Sequence, residues 1–378
     1  MGILRVNQVS GIGTNGPVFD GVTKFDTQGY FVPPTGTTDQ RSAGITTAQG
    51  SIRFNTDSQK LEFFAQDQWF EMVIDTPDLA VSSNTGAGAR GLWGGGSPTT
   101  GGNIIDYINI SSTGNAVDFG DLSGNTKYVS AFSSSTRGVW GGGERYPAPG
   151  NQQGMEYVTI SSTGNVTTFG NLITATTYIS GCSNNTRGLF AGGKIPGFTN
   201  VIEYVTIAST GNTQDFGDLT LARSNTMASS NSTRGIFGGG YTPVYQNIID
   251  YVTTSTLGNA ADFGDLTLER NGSNAASSKT RCVFFVGDAS PFTTIDFINY
   301  STLGNAVKFG DATGLKGYSA STSNCIRGVS GGGQSPAPST NTIEYVIIST
   351  QSNSVDFGDL TTDQHLSGGA VSNAHGGL

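Results

Sequence analysis

A short cassette recurs six times in this chain at a nearly constant interval. Each copy begins with an arginine, continues through apolar residues and, in most copies, ends in glycines, as in "RGVWGGG" from Arg137. The six arginines are spaced 46 to 50 residues apart: Arg90, Arg137, Arg187, Arg234, Arg281 and Arg327. Self-similarity at such a period indicates a solenoid or a propeller, and it constrains the fold more than any local motif does.

Every repeat contains four short segments with the alternation and the turn signals of β-strands. In the second copy they are "YVSAFS" from Tyr128, then "GVWGGG", "MEYVTISSTG" and "NVTTFGNL". Four short strands in each repeat of this length are typical of one blade of a β-propeller. The sequence therefore predicts an all-β fold, a β-propeller of four-stranded blades.

The end of the chain indicates how many blades to expect. "LSGGAVSNAHGGL", residues 366–378, matches the first strand and turn of another repeat, with His375 in the arginine position. A strand that pairs with the first blade would close the ring and leave no exposed sheet edge. Six blades are therefore favoured, and a seven-bladed ring that takes strands from residues 50–75 is the alternative.

Two local motifs are interpreted as architecture rather than chemistry. The glycines follow the second strand, where a sharp turn or a close approach needs a residue without a side chain. A phosphate-binding loop would instead continue with Lys-Ser or Lys-Thr and a helix. The "DFGD" of the fourth strand, as in Asp118 and Asp121, recurs in most copies. This recurrence favours a turn capped by aspartate over an acid–base pair.

An acidic residue precedes an aromatic residue in the third strand of every copy. These acids are Asp106, Glu156, Glu203, Asp250, Asp296 and Glu344. We predict that they form a structural charge ring with the six repeat arginines, because buried charges need partners and arginine binds carboxylates in a fork. An anion- or metal-binding ring along the propeller axis is the functional alternative.

Composition excludes several classes of function. The net charge of −9 argues against nucleic acid as a partner, because such proteins need a basic face, and also against an anionic membrane surface. No segment has the length of a membrane span. The three cysteines have unrelated spacings, which predicts neither disulfides nor a zinc site and fits synthesis in a reducing cytoplasm.

The sequence offers few residues for catalysis or for a cofactor. The two histidines, His365 and His375, both lie near the end of the chain, which leaves almost no imidazole for a copper or zinc site. We therefore predict no catalytic residues, no metal and no cofactor. A propeller that cleaves polysaccharide is the enzymatic alternative, since a glycosidase needs only two carboxylates.

Residues 1–76 do not repeat. "GIGTNG" in this region matches the dinucleotide-binding fingerprint formally, but neither a strand before it nor a helix after it is indicated. Residues 50–73, "GSIRFNTDSQKLEFFAQDQWFEMV", have the pattern of two or three strands with an aromatic-rich end. So small a hairpin buries little by itself. We expect it to pack on the propeller or on copies of itself.

The opening "MGILRVNQVSGIGTNGPVFDGVTKFD", followed by "VPPTGTTDQR", resembles the N-terminal region of virion structural and tail-fibre-like proteins of marine cyanobacterial phages. The segments "IIDYVTTSTLGNAADFGDLTLER" and "STRGIFGGG" are similar to the kelch-like repeats of those proteins. The repeats depart from kelch at Phe119 and Phe216, where kelch has a late tryptophan. The resemblance covers nearly the whole chain.

The resemblance implies a virion protein that is assembled in the bacterial host cytoplasm. It also implies that an extended segment, residues 1–40, attaches to other virion proteins and assembles as a homotrimer. The remaining predicted domains are a small β-hairpin domain at 41–76 and the propeller with its closing strand at 77–378.

The loops after the glycines differ between copies and carry aromatic residues. Those that could stack on a cell-surface glycan or anchor a protein partner are Tyr146, Phe198, Tyr241, Tyr245 and Phe292. The alternative is that these rings only cover neighbouring loops. The leading hypothesis is a non-enzymatic virion component, such as a tail fibre or appendage, that displays the propeller to a host receptor. The alternative role is a structural spacer or clamp between virion proteins.

Overall fold

The computed structural model describes residues 33–42, 50–58, 60–71, 89–96, 102–147, 150–272, 274–288, 290–314, 316–336, 338–364 and 368–378. The chain divides into two compact units, Met1–Thr76 and Pro77–Leu378. Residues 1–32 of the predicted attachment segment and His365 lie outside the described residues. In the part of the chain that is described, no helix has the length and hydropathy of a membrane span.

The first unit contains a small four-stranded sheet. Its strands, in sheet order, are Thr35–Gly36, Ile52–Asn55, Lys60–Ala65 and Gln68–Glu71, and a 3-10 helix spans Thr38–Ser42. The first pair is parallel and the others are antiparallel. Because Thr35–Gly36 is part of this sheet, the small domain begins before the predicted boundary at residue 41.

A buried carboxylate and two aromatic pairs stabilise this small sheet. One face buries the carboxylate of Glu62, which accepts a hydrogen bond from Asn55 at 2.7 Å, lies 3.6 Å from Arg53 and pairs with Arg41. These contacts lower the pKa of Glu62, the Arg41 hydrogen bond most strongly. Phe64 and Trp69 lie on the same face as Glu62, and Phe63 and Phe70 stack on the other face at 5.4 Å.

The described residues of the second unit form six four-stranded antiparallel sheets, so the prediction of an all-β fold is confirmed. We number the sheets 1 to 6 and give their strands in sheet order. Sheet 1 has Gly369–Ser372, Arg90–Gly94, Ile104–Asn109 and Val117–Asp121; sheet 2 has Ser130–Ser133, Arg137–Gly141, Gly154–Thr159 and Thr167–Asn171; sheet 3 has Ser180–Ser183, Arg187–Ala191, Val201–Thr206 and Gln214–Asp218. Sheet 4 has Met227–Ser230, Arg234–Gly238, Ile248–Thr253 and Ala261–Asp265; sheet 5 has Ala275–Ser277, Arg281–Phe284, Thr294–Asn299 and Val307–Asp311; sheet 6 has Ala320–Ser323, Arg327–Gly331, Thr340–Ile347 and Val355–Gln364.

Two short ribbons lie in the connecting loops. One pairs Thr126–Lys127 with Glu144–Arg145, and the other pairs Lys316–Gly317 with Gln334–Pro336.

Sheet 1 is assembled from both ends of the unit. Its first strand, Gly369–Ser372, pairs with Arg90–Gly94, with Ala370 opposite Trp93. The C-terminal segment thus supplies the first strand of sheet 1, as the sequence predicts.

The first strands of neighbouring sheets are joined by serine side chains. Ser183 Oγ donates to Ser133 O at 2.6 Å, and Ser230 Oγ donates to Ser183 O at 2.5 Å. The same bond links sheet 5 to sheet 6 through Ser323, and sheet 1 to sheet 2, where Ser133 Oγ donates to Ser372 O. Serine recurs at this position because its hydroxyl reaches the backbone of the neighbouring strand.

The fourth strands are also bonded to the sheet that follows. In sheet 2, the Asn165 side-chain oxygen accepts the Asp121 amide of sheet 1 at 3.1 Å. Five further asparagines repeat this contact, including Asn115 of sheet 1, which accepts the Asp359 amide of sheet 6. The "DFGD" segment therefore lies in the edge strand of its sheet and not in the predicted capped turn. A side chain at Gly120 would collide with the backbone of Gly164.

The core lies between the sheets and explains the glycine cassette. Trp93, Trp140, Phe190, Phe237 and Phe284 occupy one position of the second strand and are fully buried. The glycine after this position makes room for the aromatic residue of the next sheet. A Cβ on Gly94 would lie 2.8 Å from Trp140, and one on Gly141 would lie 2.8 Å from Phe190. The glycines that follow have positive φ, for example 79° at Gly95, so their architectural interpretation is confirmed.

Candidate functional site

The six repeat arginines join neighbouring sheets. Each guanidinium lies over the third-strand aromatic ring of its own sheet, as Arg137 does over Tyr157 at 4.7 Å. Each also donates to a backbone carbonyl of the next sheet, as Arg137 does to Ile207 at 3.0 Å. Arg327 of sheet 6 donates in this way to Ile110 of sheet 1 at 3.1 Å.

The six repeat acids make a different set of contacts. Each follows a register shift between the third and fourth strands, for example between Ile105 and Asp106. This bulge directs the carboxylate toward the end of the fourth strand of the preceding sheet, or toward the segment just after it. Asp106 of sheet 1 accepts the Thr361 amide of sheet 6 at 2.9 Å and its hydroxyl at 2.6 Å. Burial raises the pKa of Asp106 and of Glu203.

The predicted pairing of these arginines with these acids is therefore wrong. Arg90 lies opposite Asn109 in the ladder, and Asp106 lies opposite Trp93, three positions away. Three positions along a strand are about 10 Å, and an odd offset puts two side chains on opposite faces of a sheet. Tyr107, opposite Leu92, is two positions away and shares the arginine's face, so the aromatic ring meets the guanidinium.

Two buried ion pairs involve arginines outside the cassette. Arg223 donates to Asp250 at 3.0 Å, and Arg270 donates to Asp296 at 3.0 Å, with all four residues almost completely buried. Burial lowers the pKa of both arginines, against the pull of the carboxylates. The sequence analysis missed these pairs, because only the "LAR" and "LER" segments place an arginine at that position.

A small polar cavity is lined by the first strands of all six sheets. Its volume is about 40 Å³, and Ala131, Ser183, Ser321 and His375 are among the lining residues. His375 Nε2 lies 3.0 Å from Ser133 O, and burial lowers the pKa of this histidine to about 4. A cavity of this volume holds about three water molecules and is too small for a sugar-sized substrate.

Carboxylates and other ligand-type residues are not gathered into a metal site in the described ranges. No group of three or more His, Cys, Asp or Glu residues there could hold an ion. The repeat acids are bonded to neighbouring sheets instead.

The predicted loop aromatics separate into two groups. Phe198, Tyr241 and Tyr245 come together, with ring centroids 5.9 and 5.8 Å apart in sequence order. Tyr245 donates its hydroxyl to Asp288 at 2.9 Å. Phe292 packs against the core between sheets 5 and 6, while Tyr146 is 51% exposed and stands apart on the loop of sheet 2.

Three further tyrosines, which the sequence analysis missed as site residues, lie just before the first strands. Tyr128, Tyr178 and Tyr318 are half-buried and have φ values of 56°, 56° and 60°. Tyr128 and Tyr178 stack with centroids 3.9 Å apart, and Tyr318 donates to the carboxylate of Asp288 at 3.2 Å. The strand of sheet 2 begins at Ser130, so Tyr128 is not its first residue as predicted.

These groups form one surface, the axial aromatic surface, made of Tyr128, Tyr178, Tyr318, Tyr245 and Asp288. The loop after the second strand and the segment before the first strand lie at the same end of each sheet. Thr177, beside Tyr178, pairs with Lys194 of the loop. A recurring tyrosine seven residues after the last residue of "DFGD" or its variant is the sequence signal that could have revealed the surface.

Comparison of the chain with family models and with curated proteins gives no match.

Proposed function

We propose that the six sheets are the blades of one closed, six-bladed β-propeller and that the protein is a non-enzymatic virion component displaying this propeller. Its loop end would contact a host receptor, either a glycan or a protein. The single observation that carries the binding role is the axial aromatic surface, where aromatic rings and a carboxylate meet at the loop end.

Ring closure is supported by contacts that repeat between successive sheets. The arginine–carbonyl bond, the acid–threonine bond and the asparagine–amide bond each link sheet 6 to sheet 1 through Arg327, Asp106 and Asn115. A cavity lined by all six first strands is also what a ring predicts. In an open array the terminal sheets would instead keep free faces.

A non-enzymatic role is supported by the use of the charged residues. The recurring acids accept hydrogen bonds from the preceding sheet, and Arg223 and Arg270 form buried ion pairs with two of them. Propellers have a central channel, but here the small axial cavity leaves no space for a sugar ring.

The placement on a particle rests on the resemblance of residues 1–40 to phage virion proteins. We propose that this segment binds other virion proteins and assembles as a homotrimer. The spacer or clamp remains the second candidate, since the joined sheets form a unit that could also separate two partners.

Labelling of intact particles with antibody against residues 77–378, viewed by electron microscopy, tests the virion role and separates the two candidates. Label at exposed, distal positions is expected for a receptor-binding appendage. Label that appears only after the particles are disrupted would favour the clamp. Particles that never carry label would refute the virion role, and a full-length chain that sediments as a monomer would refute the homotrimer.

A further inference from the structure

One position of the repeat holds a left-handed backbone in every described copy. It is occupied by Tyr128, Tyr178, Asn225, Gly272 and Tyr318, with φ between 54° and 73°. Asparagine and glycine adopt this conformation readily, whereas a tyrosine there is strained. The fold therefore accepts Asn or Gly at this position, yet three copies carry tyrosine.

Strained residues cluster where a side chain is needed for a task other than folding. Two of the three phenols are in direct contact, and the third, that of Tyr318, lies close enough to both to interact with them electrostatically. Tyr128 stacks on Tyr178 at 3.9 Å, and Tyr318 lies against Gly272 of the preceding sheet, where a Cβ would come within 2.5 Å of the ring. Gly272 thus makes room for the Tyr318 ring.

The polar atoms of the surface converge as well. Tyr318 and Tyr245 both donate to Oδ2 of Asp288, at 3.2 and 2.9 Å. Burial and a hydrogen bond with Tyr128 raise the pKa of Tyr178. Burial also raises the pKa of Tyr318 and of Tyr245, so Tyr178, Tyr318 and Tyr245 stay neutral hydrogen-bonding groups at physiological pH.

We propose that the axial aromatic surface is a carbohydrate-binding site that takes a neutral sugar residue of a glycan. The proposal rests on the proposed function, and it names the ligand class of that same surface. An aromatic face packs against the C–H face of a sugar ring, and phenol and carboxylate groups exchange hydrogen bonds with its hydroxyls. None of the five residues of this surface lines the small polar cavity, so the ligand binds outside it.

The repeat supplies its own matched substitution. A Tyr128→Asn, Tyr178→Asn, Tyr318→Asn triple variant carries at each position the residue that the fourth sheet uses. Val355→Asn, on the exposed fourth strand of sheet 6, is the control. Asp288→Asn keeps the shape of the surface and removes the charge.

Saturation-transfer NMR on the full-length chain, with the methyl glycosides of glucose, galactose, mannose and N-acetylglucosamine, measures binding. We expect at least one glycoside to bind the wild type and the control. Binding to the triple variant and to Asp288→Asn should be at least about tenfold weaker, as expected when stacking and a hydrogen bond are lost. The melting temperature of the triple variant should equal or exceed that of the wild type, because the strain is relieved.

Three results would overturn the proposal. In the first, none of the four glycosides binds. In the second, the triple variant or Asp288→Asn binds as the wild type does. In the third, tetramethylammonium binds in place of any sugar, which would make the surface a cation site. A triple variant that melts several degrees lower would show that the tyrosines serve to cover the core rather than to bind sugar. The exception is a result in which Asp288→Asn stays folded and has lost sugar binding. Particle labelling that succeeds while these assays fail would leave the virion role standing and remove only the sugar site.

Discussion

Replacement of Arg327 by alanine tests whether sheet 6 is joined to sheet 1 as the interior sheets are joined to one another. Arg327 lies 4.8 Å from the Tyr345 ring centroid and donates to Ile110 O at 3.1 Å. Arg187 makes the same contacts between sheets 3 and 4, at 4.6 Å from the Tyr204 ring centroid and 2.9 Å from Thr254 O. Arg137 and Arg281 each donate to a second carbonyl as well, so Arg187 is the matched control for Arg327.

The magnitude follows from the two contacts. A cation–π contact contributes about 0.5 to 2 kcal/mol, and a hydrogen bond from a charged donor about 1.5 to 3 kcal/mol. Both arginines are partly exposed and regain water when the contact is lost, so we expect a net loss near the lower end, about 2 kcal/mol. In a unit of this size that corresponds to a fall of about 4 °C in melting temperature.

Urea unfolding of the full-length chain, followed by tryptophan fluorescence, measures the loss. Two of the three tryptophans, Trp93 and Trp140, are buried in the six-sheet unit and report its unfolding. Arg327→Ala and Arg187→Ala should be equally destabilising. A full loss for Arg187→Ala with none for Arg327→Ala would mean that the sixth and first sheets are not joined in solution, and the closed ring would be refuted.

Three further predictions concern buried charges and thiols. The free energy of unfolding of Asp106→Asn, minus that of the wild type, should be larger at pH 7 than at pH 4. Because the pKa of Asp106 is raised in the folded state, the wild type has stability at low pH that it loses as pH rises through the folded pKa. Urea titrations that give the same difference at both pH values would contradict this. Arg223→Met should lower the free energy of unfolding in urea by about 3 kcal/mol, because it leaves the carboxylate of Asp250 buried without its cation. A loss of less than about 1 kcal/mol would show that the hydrogen bonds from Thr220 are enough to stabilise the buried carboxylate. Burial raises the pKa of Cys182 to about 12, so this thiol should react with a thiol reagent at pH 8 only after unfolding. Fast labelling of Cys182 in the native chain would show that sheets 3 and 4 separate readily.

The repeat and the strand content could be predicted from the sequence because both are local. The 46- to 50-residue interval and the four alternating segments of each copy follow from side-chain order along the chain. The role of the glycines was also predictable, since positive φ and close packing both select a residue without a Cβ. The C-terminal strand was recognisable because Gly369–Ser372 resembles the first strand of the other copies.

The charge pairing could not be predicted in this way. The sequence places Asp106 and Tyr107 side by side and does not say which of them faces Arg90. The register of the second and third strands decides it, since a shift of one residue moves a side chain to the other face. Each acid accepts hydrogen bonds from the preceding sheet, and for Asp106 the donor is Thr361, far away in the chain.

The candidate site shows the same division. The loop aromatics were visible in the sequence as isolated residues in variable segments. Tyr245 belongs to a contacting group and Tyr146 stands apart from it, and this difference depends on how neighbouring sheets place their loops. The sequence pattern places Tyr128 at the beginning of a strand and does not show that Tyr178 contacts it or that Tyr318 binds Asp288. By itself the sequence determined the repeating unit, its strands and the closing segment, because these depend on short-range order. Only the tertiary structure decided which side chains meet, because those contacts cross between sheets whose register and neighbours are set by packing.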